Sequence, residues 1–214
     1  QFALPEPADS LDILVNEILF NPRPNGTDFV EVVNHSRKYI NLKNWKLANI
    51  ENQVLINIQE ITSSDLILAP GAYLVFTADP ILLKNNYPQG QDQNFFTAPQ
   101  PGLPDDEGSI TLVNNHGKVI DYFHYSEDFH SELIKDDEAV SLERISFSKP
   151  TNEPQNWRSA SSQSGFATPG YYNSNARPEN PAARGSITIE PEIFVPGSGI
   201  RDFATINYKF EQAG

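Results

Sequence analysis

The chain alternates brief β-prone runs with clusters of turn residues and nowhere sustains a helical apolar period over most of its length. Residues 11–20, 29–33, 42–47, 54–61, 73–77, 110–113, 119–125 and 140–145 are such runs, rich in Val, Ile, Leu, Phe and Tyr. Between them lie Asn21-Pro22-Arg23-Pro24-Asn25-Gly26, Ala69-Pro70-Gly71 and Asn114-Asn115-His116-Gly117. Proline cannot donate to a ladder and Asn-Gly favours a tight turn, so these clusters end strands. About seven or eight short strands at spacings of roughly 10 to 15 residues form the pattern of two packed antiparallel sheets. Residues 54–61 alternate Val54, Ile56 and Ile58 against Leu55, Asn57 and Gln59, a period of two.

A short helix is expected near residues 80–86, with Asp79 as cap and Pro80 in the first position. Residues 89–108 read as a long polar loop, and residues 148–185 as an extended Pro/Asn/Ser-rich tail that wraps the sandwich. The organisation expected is a flexible lead at 1–10, a sandwich at 11–175 and a linker at 176–185. Residues 186–214 then supply strands of a truncated or packed second β module. The prolines Pro178 and Pro181 keep the linker extended. The sequence opens Gln1-Phe2 without Met, as a processed or trimmed piece would.

With 15 basic and 28 acidic residues the net charge is −13, and the longest basic run is Arg37-Lys38. Such a chain repels phosphate, which argues against nucleic acid and anionic membranes as partners. The absence of Cys excludes disulfides, thiolate zinc sites and a Cys nucleophile. No apolar stretch reaches about 18 residues, so no membrane insertion is expected. There is no G-x-S-x-G elbow, P-loop or G-x-G-x-x-G after a strand. No cofactor and no enzyme activity are expected.

Several stretches, taken in order, resemble the lamin tail domain in its bacterial exported form. They are Ile13-Leu14-Val15-Asn16-Glu17-Ile18, Asp28-Phe29-Val30-Glu31-Val32-Val33-Asn34, Leu42-Lys43-Asn44-Trp45-Lys46-Leu47 and Leu68-Ala69-Pro70-Gly71-Ala72-Tyr73-Leu74-Val75-Phe76. Later ones are Gly108-Ser109-Ile110-Thr111-Leu112, Gly117-Lys118-Val119-Ile120-Asp121, Ser141-Leu142-Glu143-Arg144 and Thr168-Pro169-Gly170-Tyr171-Tyr172-Asn173. The resemblance implies an all-β, immunoglobulin-like β-sandwich used as a non-catalytic binding or structural module of an exported protein. It implies an extracellular, cell-surface or periplasmic location. The partner expected is a protein or a surface glycan, through adhesion or scaffolding. Ile193-Phe194-Val195-Pro196 and Asp202-Phe203-Ala204-Thr205-Ile206-Asn207-Tyr208 resemble the opening of flagellar-hook-cap-type immunoglobulin-like modules. Pro196-Gly197-Ser198-Gly199 replaces that family's acidic loop and removes carboxylates that calcium would want.

Glu17 and Glu31 lie inside strand runs, near Asn16 and Asn34. Their oxygens suit a hard cation, but buried carboxylates need hydrogen-bond donors, and accepting such bonds is their expected role. No metal site is therefore expected. His124, Asp128, His130 and Glu132 have residue types for zinc without a zinc spacing, and the histidines are expected at the surface. The triplets Asp105-Asp106-Glu107 and Asp136-Asp137-Glu138 read as solvated loop tips. Trp45 and Trp157, with Tyr171 and Tyr172, are expected in core or tail packing. Phe95 and Phe96, in the polar loop, are the candidates for an exposed binding platform. Two rival readings are an accessory carbohydrate-binding module with coplanar exposed aromatics, and a metal-dependent hydrolase using the His124–Glu132 region. Asn25-Gly26-Thr27 and Asn34-His35-Ser36 are glycosylation sequons, relevant only in a eukaryotic secretory host.

Overall fold

A computed structural model describes residues 4–176 and the strands Ser186–Glu190 and Thr205–Lys209. The chain divides into two compact units, 1–177 and 178–214. In chain order the first unit holds β1 (Ile13–Leu19), β2 (Phe29–Asn34), β3 (Ile40–Asn41), β4 (Lys46–Glu51), β5 (Val54–Glu60), β6 (Ile67–Leu68) and β7 (Tyr73–Thr77). Helix α1 (Pro80–Asn86) follows, then β8 (Phe95–Thr97), β9 (Glu107–Val113), β10 (Val119–Ser126), β11 (Leu142–Arg144) and β12 (Trp157–Ser159). In the second unit β13 (Ser186–Glu190) pairs antiparallel with β14 (Thr205–Lys209).

One sheet has the order β12-β11-β1-β2-β7-β8 and the other β10-β9-β4-β5, with β3 and β6 as a small separate pair. This is a β-sandwich. Between the sheets lies one apolar core, including Ile13, Val15, Ile18, Val30, Phe76, Ile110, Phe123 and Leu142. Trp45 is buried there, in the turn between β3 and β4 rather than in a strand. Trp157 stacks on Phe123 with ring centroids 3.7 Å apart.

A buried polar tie crosses the core. Arg144 donates to Val15 O and pairs at 3.4 Å with Asp121 on β10, which also accepts from Val15 N and Thr151 Oγ1. The Arg144 guanidinium lies 5.4 Å from the Trp157 ring centroid. Burial lowers the Arg144 pKa to about 10, and Asp121, raised by burial, holds the opposite charge against it.

The helix forms as its sequence predicts: the Asp79 carboxylate accepts from Leu82 N, and Pro80 opens the first turn. Three expectations change. Residues 89–108 are not all loop, because Phe95–Thr97 pairs in parallel with β7. The two aromatics drive this by burying on opposite faces, Phe96 edge-on to Phe76 and Phe95 against Leu83 and Tyr87. Residues 54–60 show no clean inward and outward sets. β5 is an edge strand with Val54 and Ile58 both exposed, and a register shift opposite Asn57, which has φ 50°, breaks the alternation. Residues 157–159 form a sheet strand within what reads as an extended tail wrapping the sandwich.

Candidate functional site

The site is built on the outer face of the larger sheet, away from the main core. Pairing across the strands sets Glu143 beside Glu17, Glu17 beside Glu31, Glu31 beside Val75, and Val75 beside Phe95. One straight row thus crosses five strands, and its three glutamates have no solvent exposure. A register shift between Val15 and Glu17 makes Asn16 an extra residue in β1. Strict alternation would send Glu17 into the core; the bulge turns it to the outer face beside Asn16.

The cover over this row is the chain itself. Residues 167–176, here called the strap, run across it and supply most of its donors. Glu17 Oε1 accepts from Thr168 N at 2.7 Å and from Ser141 Oγ. Glu31 accepts from Gly170 N and from Asn16 Nδ2, each at 2.7 Å. Glu143 accepts from Thr168 Oγ1, from Ser174 N and Oγ, and from Asn175 N and Nδ2. Asn16 and Asn173 exchange amide hydrogen bonds, and Asn173 Nδ2 also donates to Arg144 O. Burial, then the Glu143 carboxylate, pushes the Glu17 pKa up to about 8. Burial, then Glu17, holds Glu31 well above the ordinary range.

Three of the four sequence candidates, Glu17, Glu31 and Phe95, therefore meet on one row. Glu17 and Glu31 accept backbone and side-chain hydrogen bonds, the role expected of buried carboxylates, while Phe95 departs from its expected role. The glutamates bind their own chain, and among the described residues no group of three or more His, Asp or Glu is placed to hold a metal ion. Phe95 is no exposed platform: it is half-buried beneath Gly170 and packs against the outer small core of Leu19, Phe29, Val75, Leu83 and Ala167. Phe96 is half-buried on the main core. The sequence carries no local signal that makes Glu143, Thr168 or Gly170 a site residue. Glu143 differs from any exposed strand glutamate only through the segment that covers it, more than 20 residues later.

The remaining candidates do not converge. His124 is exposed on β10 and its backbone N donates to Asn152 Oδ1. His130 is half-buried rather than at the surface, because its ring packs on Phe20. Its Nδ1 lies 3.0 Å from Ser159 Oγ, while Nε2 is buried without a partner. An orphaned acceptor costs less here than an orphaned N–H, so the proton sits on Nδ1 and is donated to Ser159. The Ser159 hydroxyl also accepts from Ser131 N. Asn34 is buried with its side-chain amide bonded to Lys38 O and Leu68 O, which closes one sequon.

The sheets, the inter-sheet tie and the self-covered outer face define an immunoglobulin-like β-sandwich, with a single short α-helix among the described residues. The chain belongs to the lamin tail domain family, whose model matches residues 6–127, more than half of it. No curated protein matches the chain significantly. The match ends before β11, the strap and the C-terminal strands. It lends nothing to the hook-cap resemblance at residues 193–208, which falls outside the described residues except for part of β14. Among the described residues no helix is long and apolar enough to cross a membrane.

Proposed function

We propose that this chain is a non-catalytic, exported module that binds a protein partner at a cell surface, extracellularly or in the periplasm. One observation carries the reading: its buried carboxylates are engaged by its own chain, while among the described residues the apolar strand β5 pairs on one side only. The outer edge of β10 is capped by Asn152, which accepts from His124 N and donates to Tyr122 O. β5, at the other end of the same sheet, carries Val54 at 60% and Ile58 at 49% exposure. An uncovered edge is a template for an extended segment of another protein, with backbone pairing for affinity and alternate side chains for selectivity. The irregularity at Asn57 shortens the regular ladder and discourages indiscriminate pairing. A net charge of −13 favours a partner with basic character.

The carbohydrate-binding alternative wants coplanar exposed rings. Tyr172 is 68% exposed but meets Tyr171 at 79°, and both tryptophans are buried. The test is binding of the labelled chain to intact host cells. Retention is expected, with loss on protease treatment of the cells and in a Val54→Lys/Ile58→Lys variant. Loss on glycosidase treatment alone would favour the glycan, and no retention at all would end the adhesion reading.

A further inference from the structure

We propose that the row Glu31–Glu17–Glu143 is a proton-operated latch: Glu17 is kept as the neutral acid between its neighbours, and loss of its proton to solvent base releases the strap from the sheet. The argument is a count of protons. Thr168 Oγ1 lies 2.6 Å from Glu143 Oε1 and 3.1 Å from Glu17 Oε2. A hydroxyl has one proton to donate, so it cannot satisfy two carboxylate oxygens. Glu143 has four other donors from Ser174 and Asn175 and takes the Thr168 proton as well. Glu17 Oε2 has no other partner among the described residues. The arrangement closes if Oε2 carries a proton and donates it to Thr168 Oγ1, which donates onward to Glu143. Glu17 Oε1 meanwhile accepts from Ser141 and Thr168 N.

The surroundings favour the neutral form. Glu31 and Glu143 flank Glu17 on the neighbouring strands, and no ion pair of the described residues includes any of the three. Tyr87 at the C-terminal end of α1, Tyr73 of β7 and Tyr171 of the strap also face the row. Burial raises all three phenols, Tyr87 and Tyr171 to about 12, so they stay neutral in mild alkali. Arg144 follows Glu143 on β11 but points to the other face, toward Asp121. When Glu17 ionises, a second buried charge stands beside Glu143 and the Thr168 hydroxyl can serve only one of them. The strap then lifts, drawing Ala167 off the outer core and uncovering Phe95.

The test uses the full chain with carboxyl-labelled glutamate. At about pH 7 one or more glutamate carboxyls should be in the acid form, with a transition near 8. The exchange protection of the Thr168 and Gly170 amides, corrected for intrinsic rate, should fall by up to about tenfold per pH unit between 4.5 and that midpoint and level off above it. Val30, in the centre of the sheet, should stay protected. Glu17→Gln places an amide N–H where the acid proton stands, and should keep the strap protected at every pH. The proposal is overturned if every glutamate is ionised at neutrality, if strap protection ignores pH, or if the Gln variant retains the transition. Should that variant fail to fold, the wild-type carboxyl titration and exchange decide alone.

Discussion

Replacing Glu143 by Gln is the sharpest probe of the row. Its Oε1 accepts from Thr168 Oγ1 at 2.6 Å and Ser174 N at 3.0 Å. Its Oε2 accepts from Ser174 Oγ at 2.7 Å, Asn175 N at 2.9 Å and Asn175 Nδ2 at 2.8 Å. With the amide N at the Oε2 position, two N–H donors of Asn175 lose their acceptor. With it at Oε1, the Thr168 hydroxyl can turn to accept, but Ser174 N is orphaned. The better orientation thus leaves one part-buried donor unmet, at the low end of about 1 to 3 kcal/mol, and turns charge-assisted bonds into neutral ones. Glu17 is the neutral acid at this pH and offers no charge repulsion to relieve, so the net loss is about 2 to 4 kcal/mol. Glu17→Gln, where an N–H is wanted, should cost less than about 1 kcal/mol. Urea unfolding near neutral pH separates the two, since at about 1 to 3 kcal/mol per M the Glu143 variant shifts the midpoint by roughly 1 to 2 M. Equal costs for the two variants would refute the assignment of the proton to Glu17.

Because the folded state holds the Glu17 pKa near 8 and the ordinary value is 4.5, the stabilisation from its retained proton is complete below 4.5 and gone above about 8. Urea midpoints should therefore fall between those values, by at most about 1.4 kcal/mol per pH unit per proton, and a flat or rising profile refutes this. Gly170→Ala puts a Cβ 2.6 Å from Phe95 Cε2 at φ 84°, costing about 2 to 4 kcal/mol in denaturant unfolding. Adding Phe95→Leu should recover the steric part only. Arg144→Leu leaves Asp121 buried without its cation, costs about 3 to 5 kcal/mol and lowers the melting temperature by roughly 10 °C.

Much of the sandwich is legible in residue order because its causes are local. Pro22, Pro24 and Gly26 stop β1 and set the start of β2 whatever lies around them. Asp79-Pro80 caps a helix by chemistry within one turn. The readings that fail depend on distant partners. Phe95 and Phe96 sit in a polar stretch, and only β7 beside them makes a strand of it. The alternation in residues 54–60 is real as a pattern but has a sheet on one side only.

Glu17 and Glu31 mark the limit most clearly. Strand periodicity places carboxylates in apolar runs, and elementary solvation requires donors for them. That much belongs to the sequence, together with the sheet class, the turns and the acidity. Which donors arrive, that Glu143 joins the row, and which oxygen keeps a proton were decided only when residues 167–176 folded back over β11, β1 and β2. Register shifts and returning segments act across more than a hundred residues, where no local spacing carries their signal.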